Sequence, residues 1–164
     1  QFNLQYFLNE IEMMENGLVA LSWNNYFFEI CRAIALKSKD ESTKVGCVIV
    51  GPNKEIRSTG YNGFPRGVFD NIDERKIKPL KYMWTVHAEL NAILQASRNG
   101  VILQDCKIYC QWHPCHDCAK AIIQVGIQTV LIDKSFMESR GTTGWENSFK
   151  IAKQMFNEAG VVIW

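Results

Sequence analysis

Two stretches decide the reading of this chain: His87-Ala-Glu-Leu-Asn-Ala-Ile-Leu94 and Pro114-Cys-His-Asp-Cys-Ala-Lys-Ala-Ile-Ile123. Each opens on reactive side chains and continues as an amphipathic helix. Ala88, Ala92, Ile93 and Ala96 recur at helical spacing in the first, and Ala119, Ile122 and Ile123 in the second. The first helix is predicted over 86–98, stopped by Asn99-Gly100, and the second over 115–125, stopped by Gly126. Cys115 and Cys118 are three residues apart, so a helix projects them from one face. A helix N-terminus also favours thiolate over thiol. His87 with two thiolates makes three ligands for a tetrahedral zinc ion and leaves a fourth position open. Two thiolates cancel the charge of such an ion, so drawing a proton from water needs a base. Glu89, two residues past His87, is a carboxylate placed for that work.

The other two histidines fit a ligand role poorly. His116 lies between the cysteines and is expected to point away from a metal they share. His113 precedes Pro114 and reaches only through a tight turn. A closed structural site on either histidine would leave Glu89 without a task.

Strands and helices alternate around these two segments. A helix over 23–36 carries Phe27, Ile30, Cys31 and Ile34 at helical spacing behind Ser22 as N-cap. Val45 to Val50 reads as a buried strand, turned by Gly51-Pro-Asn53 into a second arm over 55–61. Residues 62–86 read as a long loop, and loops of that length inside a domain are usually functional. Further strands are expected over 106–112, 129–132 and 161–164, with a helix over 145–158. The order implies an α/β domain with one central sheet covered by helices on both faces. Parallel pairing is favoured for the later strands.

Residues 1–16 stand apart, with Leu4, Phe7, Leu8, Ile11 and Met14 on one helical face. The expected division is an N-terminal amphipathic extension over 1–21 and a single domain over 22–164.

Composition narrows the classes. A chain of 164 residues has room for one domain. An apolar fraction of 47% and a charged fraction of 21% exclude a low-complexity chain. Eighteen basic against seventeen acidic side chains leave +1, which supplies no continuous basic groove for a polynucleotide. Charge-free runs such as 17–28 and 121–132 fall short of the ~18 apolar residues a membrane span needs. No leader pattern opens the chain, and the expected location is the cytoplasm. Cys31, Cys47 and Cys106 sit singly in apolar runs and read as small core residues.

At the two opening stretches the chain resembles the zinc-dependent cytidine deaminase superfamily, whose signature is H-x-E followed by P-C-x-x-C. Two further segments, Ser38-Lys-Asp-Glu-Ser-Thr-Lys-Val-Gly46 and Gly60-Tyr-Asn-Gly-Phe-Pro-Arg-Gly67, are similar to its deoxycytidylate (dCMP) deaminase branch. The resemblance covers about 23–164. It implies a three-layer α/β/α fold around a central five-stranded mixed sheet, and hydrolysis of dCMP to dUMP and ammonia. It implies Zn²⁺ on His87, Cys115 and Cys118, with Glu89 carrying protons. It also implies Asn62 at the sugar, and Val45, Gly46, Ala88 and Trp112 along the pyrimidine slot.

Lys37 and Ser38 are candidates for the 5′ phosphate, with lysine standing where many relatives carry arginine. The loop over 66–81, with Arg66, Arg75, Lys76, Lys78 and Lys81, is read either as a solvated loop or as a phosphate or effector site. Such enzymes form hexamers or dimers and answer to dCTP and dTTP. That implies an effector site near Gly60, Tyr61, Gly63 and Arg66, with Mg²⁺ accompanying the triphosphate. Two other readings stay open. One is a deaminase of single-stranded DNA or RNA, suggested by Trp112-His-Pro-Cys115. The other is a zinc-binding subunit that has lost turnover.

Overall fold

In the computed structural model, residues 20–164 are described; the helix expected over 1–16 lies outside them. Ser22 caps α1 (Trp23–Ala35) through its hydroxyl, which accepts the Asn25 amide. Then come β1 (Gly46–Val50), β2 (Ile56–Tyr61), a short 3₁₀ turn (Asp73–Lys76) and the single-turn α2 (Lys81–Trp84). After these follow α3 (Ala88–Arg98), β3 (Lys107–Cys110), α4 (His116–Gln124) and β4 (Thr129–Ile132). The chain closes with α5 (Lys134–Arg140), α6 (Glu146–Glu158) and β5 (Val162–Ile163).

The strands form one five-stranded mixed sheet in the order β2-β1-β3-β4-β5. β1 runs antiparallel to both β2 and β3, whereas β3, β4 and β5 are parallel. Alternation along the strands divides the core in two. Cys47, Ile49, Ile108, Cys110 and Val130 pack with Ala92 and Ile93 of α3, Ile122 of α4 and Phe156 of α6. Val48, Val50, Tyr109 and Leu131 face the other way, onto Phe27 and Cys31 of α1. Full burial of a phenylalanine such as Phe27 or Phe156 stabilises by about 1.5–3 kcal/mol. This is the three-layer arrangement the sequence implies.

Two glycines let helices lie directly on the sheet. A β-carbon at Gly46 would meet the Cys31 carbonyl oxygen of α1 at 2.0 Å. One at Gly60 would meet the Ala88 carbonyl oxygen at 2.2 Å and the Ala92 nitrogen at 2.4 Å, both on α3. The Gly60 contacts fix α3, and with it His87 and Glu89, against β2.

The structure departs from the sequence expectations in several places. Helix α5 was not anticipated; Asp133 caps it, its side chain accepting the Ser135 and Phe136 amides. The long loop over 62–86 contains the 3₁₀ turn, α2 and a bridge between Gly63 and Val86. His87 and Cys115 occupy the N-cap positions of α3 and α4 rather than their first turns.

Candidate active site

Antiparallel β1 and parallel β3 place the start of one strand beside the end of the other, Cys47 opposite Cys110. Helices α3 and α4 begin at that same edge of the sheet. At Cys115 the N-cap geometry does two jobs: its sulfur accepts the Cys118 amide at 3.4 Å and is turned toward His87. The His87 Nδ1 atom stands 3.3 Å from Cys115 Sγ and 3.7 Å from Cys118 Sγ. All three donor atoms lie within 4.8 Å of one another.

Zinc bonds of about 2.0–2.1 Å to nitrogen and 2.3 Å to sulfur place N and S roughly 3.6 Å apart around a tetrahedral ion. The donor set and its spacing therefore fit zinc. The remaining histidines are turned to other work. His116 pairs through Nδ1 with Ser148 Oγ on α6 at 2.7 Å, and His113 Nδ1 lies 2.8 Å from the Pro114 carbonyl oxygen.

Glu89 is buried at 4% exposure, with its carboxylate 3.7 Å from the Cys118 sulfur, whose thiol donates to it. Burial pushes its carboxyl up to about 7, against the opposing pull of His87 and the backbone amide. A carboxyl poised there can both take and return a proton near neutral pH. Cys115 is the acidic member of the thiol pair. The Cys118 thiol, His87 and the Cys118 amide together draw it well below the ordinary thiol range, against its burial.

His87, Glu89 and Cys115 line a cleft whose empty space, open solvent included, is about 650 Å³. Val45, Ala88 and Trp112 line it, whereas Gly46 does not. Asn62 lines it with its amide already engaged. Its Oδ1 accepts the Val45 amide at 2.8 Å, and its Nδ2 donates to the Thr43 carbonyl at 2.8 Å. The aromatic side of the cleft was not read from the sequence. Trp145 lies edge-on to His87 at 5.6 Å between centroids, and Phe149 stacks on Trp145 at 6.1 Å. Their only signal was membership of a helix with an apolar stripe.

Lys37 and Ser38 are not in the cleft, which corrects their assignment to a phosphate. Lys37 is exposed past the end of α1, and the Ser38 hydroxyl is buried, donating to the Asn62 carbonyl at 2.7 Å. The basic side chains that do line the cleft are Lys78, Lys81 and Arg140. Of the residues considered for an effector, Gly60 lies under α3 and Gly63 bridges Val86. Tyr61 is exposed, and Arg66 donates to the Gln95 side chain at 2.6 Å.

Comparison with known proteins agrees with this geometry. Residues 21–134 match the model of the cytidine and deoxycytidylate deaminase zinc-binding region. The chain is 37% identical over 145 residues to the deoxycytidylate deaminase of Mus musculus, covering 84% of this chain and 80% of that one. It is 39% identical over 143 residues to an uncharacterized deaminase in the luxG 3′ region of Aliivibrio fischeri, covering 87% and 92% respectively. A cyanophage S-TIM5 dCMP deaminase, solved in complex with dCMP and dUMP, shares the fold. Its TM-score is 0.66 at 20% identity, over 89% of this chain and 98% of that one. The chain belongs to the cytidine and deoxycytidylate deaminase family. No helix among the described residues is long and apolar enough to cross a membrane.

Proposed function

We propose that this protein hydrolyses dCMP to dUMP and ammonia. The observation that carries the reading is the buried Glu89 carboxylate beside the His87, Cys115 and Cys118 donors, in a cleft that Lys78 and Arg140 also line. The mouse relative and the cyanophage enzyme, both dCMP deaminases by name, support the choice of substrate.

His87 Nδ1 and the two cysteine sulfurs would hold one zinc ion, which supplies a Lewis acid that lowers the pKa of water. Glu89 takes one proton from the attacking water and passes it to cytosine N3, then takes the proton that remains on the new C4 hydroxyl and passes it to the departing C4 amine. The C4–N bond is exchanged for C4–O, so one water enters and one ammonia leaves. Trp112, Val45 and Ala88 wall the base and exclude bulk water, and a placed acid/base of this kind contributes roughly 10²–10⁴ in rate.

The reading is tested by following loss of the cytosine band with dCMP, deoxycytidine and single-stranded DNA side by side. Turnover of dCMP well above the other two is expected. Activity on DNA but not on dCMP would overturn the substrate. Zinc without turnover of any of the three would point to a silent subunit.

A further inference from the structure

We infer that Arg140 is the residue that selects a nucleotide over a nucleoside, by holding the substrate's 5′ phosphate at the cleft mouth. The inference rests on the dCMP reading above. It follows from how the charges at the mouth are already spent.

Lys81 is not available to a ligand. Its Nζ lies 2.5 Å from the Asp40 carboxylate and donates to Ser42 Oγ at 2.7 Å, and the side chains of Lys81 and Asp40 are only 12% and 7% exposed. Asp40 in turn accepts the Ser42 amide at 2.9 Å and the Thr43 amide at 3.0 Å. This is a neutral knot that shapes the segment over 40–43, with its charge cancelled on the spot.

Arg140 differs on each count. It is exposed at the mouth, and among the described residues it has no carboxylate partner. Its guanidinium reaches across from the last residue of α5 to donate to the Thr43 hydroxyl, ninety-seven residues earlier in the chain. It lies 6.0 Å over the Trp112 ring. The Trp112 indole donates to the Gly141 carbonyl at 3.1 Å, so one side chain both walls the cleft and pins the backbone next to Arg140. A guanidinium anchored on the Thr43 hydroxyl, without a counter-ion among the described residues, suits a phosphate dianion. Its planar fork can meet two oxygens at once, which an ammonium cannot. Lys78, the other unpaired cation of the mouth, rests 5.9 Å over the Tyr82 ring and offers only a point charge.

The test compares kcat/KM for dCMP and for deoxycytidine in the wild type, Arg140→Ala and Arg140→Lys, with bound zinc and thermal unfolding measured on each. The wild type is expected to prefer dCMP. Arg140→Ala is expected to lose roughly 10- to 100-fold on dCMP, the worth of a charge-assisted pair, while deoxycytidine turnover stays within about threefold. Arg140→Lys, which keeps the charge and loses the fork, is expected to fall between.

An unchanged dCMP preference in a folded, zinc-loaded Arg140→Ala protein would overturn the assignment, as would equal losses on both substrates. A wild type that turns over dCMP and deoxycytidine alike would also overturn it, while leaving the deaminase chemistry standing.

Discussion

At the scale of single residues, Asp40 and Lys81 show how a charged pair can serve structure at the edge of a site. Burial raises the Asp40 carboxyl, but Lys81 and the Thr43 and Ser42 amides outweigh it and hold it below its ordinary value of 3.8. A carboxyl depressed in the folded state stabilises above its unfolded pKa, and that contribution is lost as the pH falls through its folded pKa. Asp40→Asn, which strands Lys81, is therefore expected to cost about 3 kcal/mol near neutral pH. The gap from wild type should close as the pH falls below 3.8, measured by urea unfolding at a series of pH values. A gap that does not change with pH would remove the ion pair from the explanation.

The zinc ligands and Glu89 were legible because spacing along the chain and helix phase place them without reference to the rest of the fold. The phosphate end was not. The Ser38 hydroxyl is buried and donates to the Asn62 carbonyl, and Arg140 meets Thr43 across ninety-seven residues of chain; spacing along the sequence reveals neither contact.

At the scale of elements, the contact between β2 and α3 positions the chemistry. The sequence marks Gly60 as part of a loop motif, and the structure gives it a packing reason: Ala88 and Ala92 backbone atoms occupy the space of its missing side chain. Gly60→Ala must push α3 away from β2, an overpacking that costs about 1–3 kcal/mol. A fall in Tm of roughly 2–4 °C per kcal/mol is expected, together with weaker metal retention because His87 caps the displaced helix. A variant with unchanged Tm and zinc content would show that the contact does not hold α3 in place.

Most long elements were readable from period and caps. Helix α5 was not, because its seven residues, KSFMESR, include none that is buried, and so they show no apolar period to detect. The strand expected over 161–164 forms as the two-residue β5, parallel to β4.

At the scale of the whole molecule, topology concentrates function at one edge of the sheet. Val45 before β1, Asn62 after β2 and Trp112 after β3 emerge together, and α3 and α4 bring their N-termini to the same place. A mixed sheet of this order brings His87, Glu89 and Cys115 into one cleft with Lys78 and Arg140. The alternation of reactive stretches with strands made the α/β class legible. The cleft's aromatic wall was not, since Trp145 and Phe149 reach it only through the packing of α6 on α4.

The central claim is that this cleft is a hydrolytic site in which Glu89 moves the protons while His87, Cys115 and Cys118 hold the metal. The most direct measurement is dCMP turnover by wild type and Glu89→Gln, with zinc content determined on the same samples. One zinc per chain in both proteins is expected, with turnover in the wild type and a loss of at least ~10²-fold in the variant. A Glu89→Gln protein that keeps its zinc and deaminates dCMP at the wild-type rate would contradict the claim.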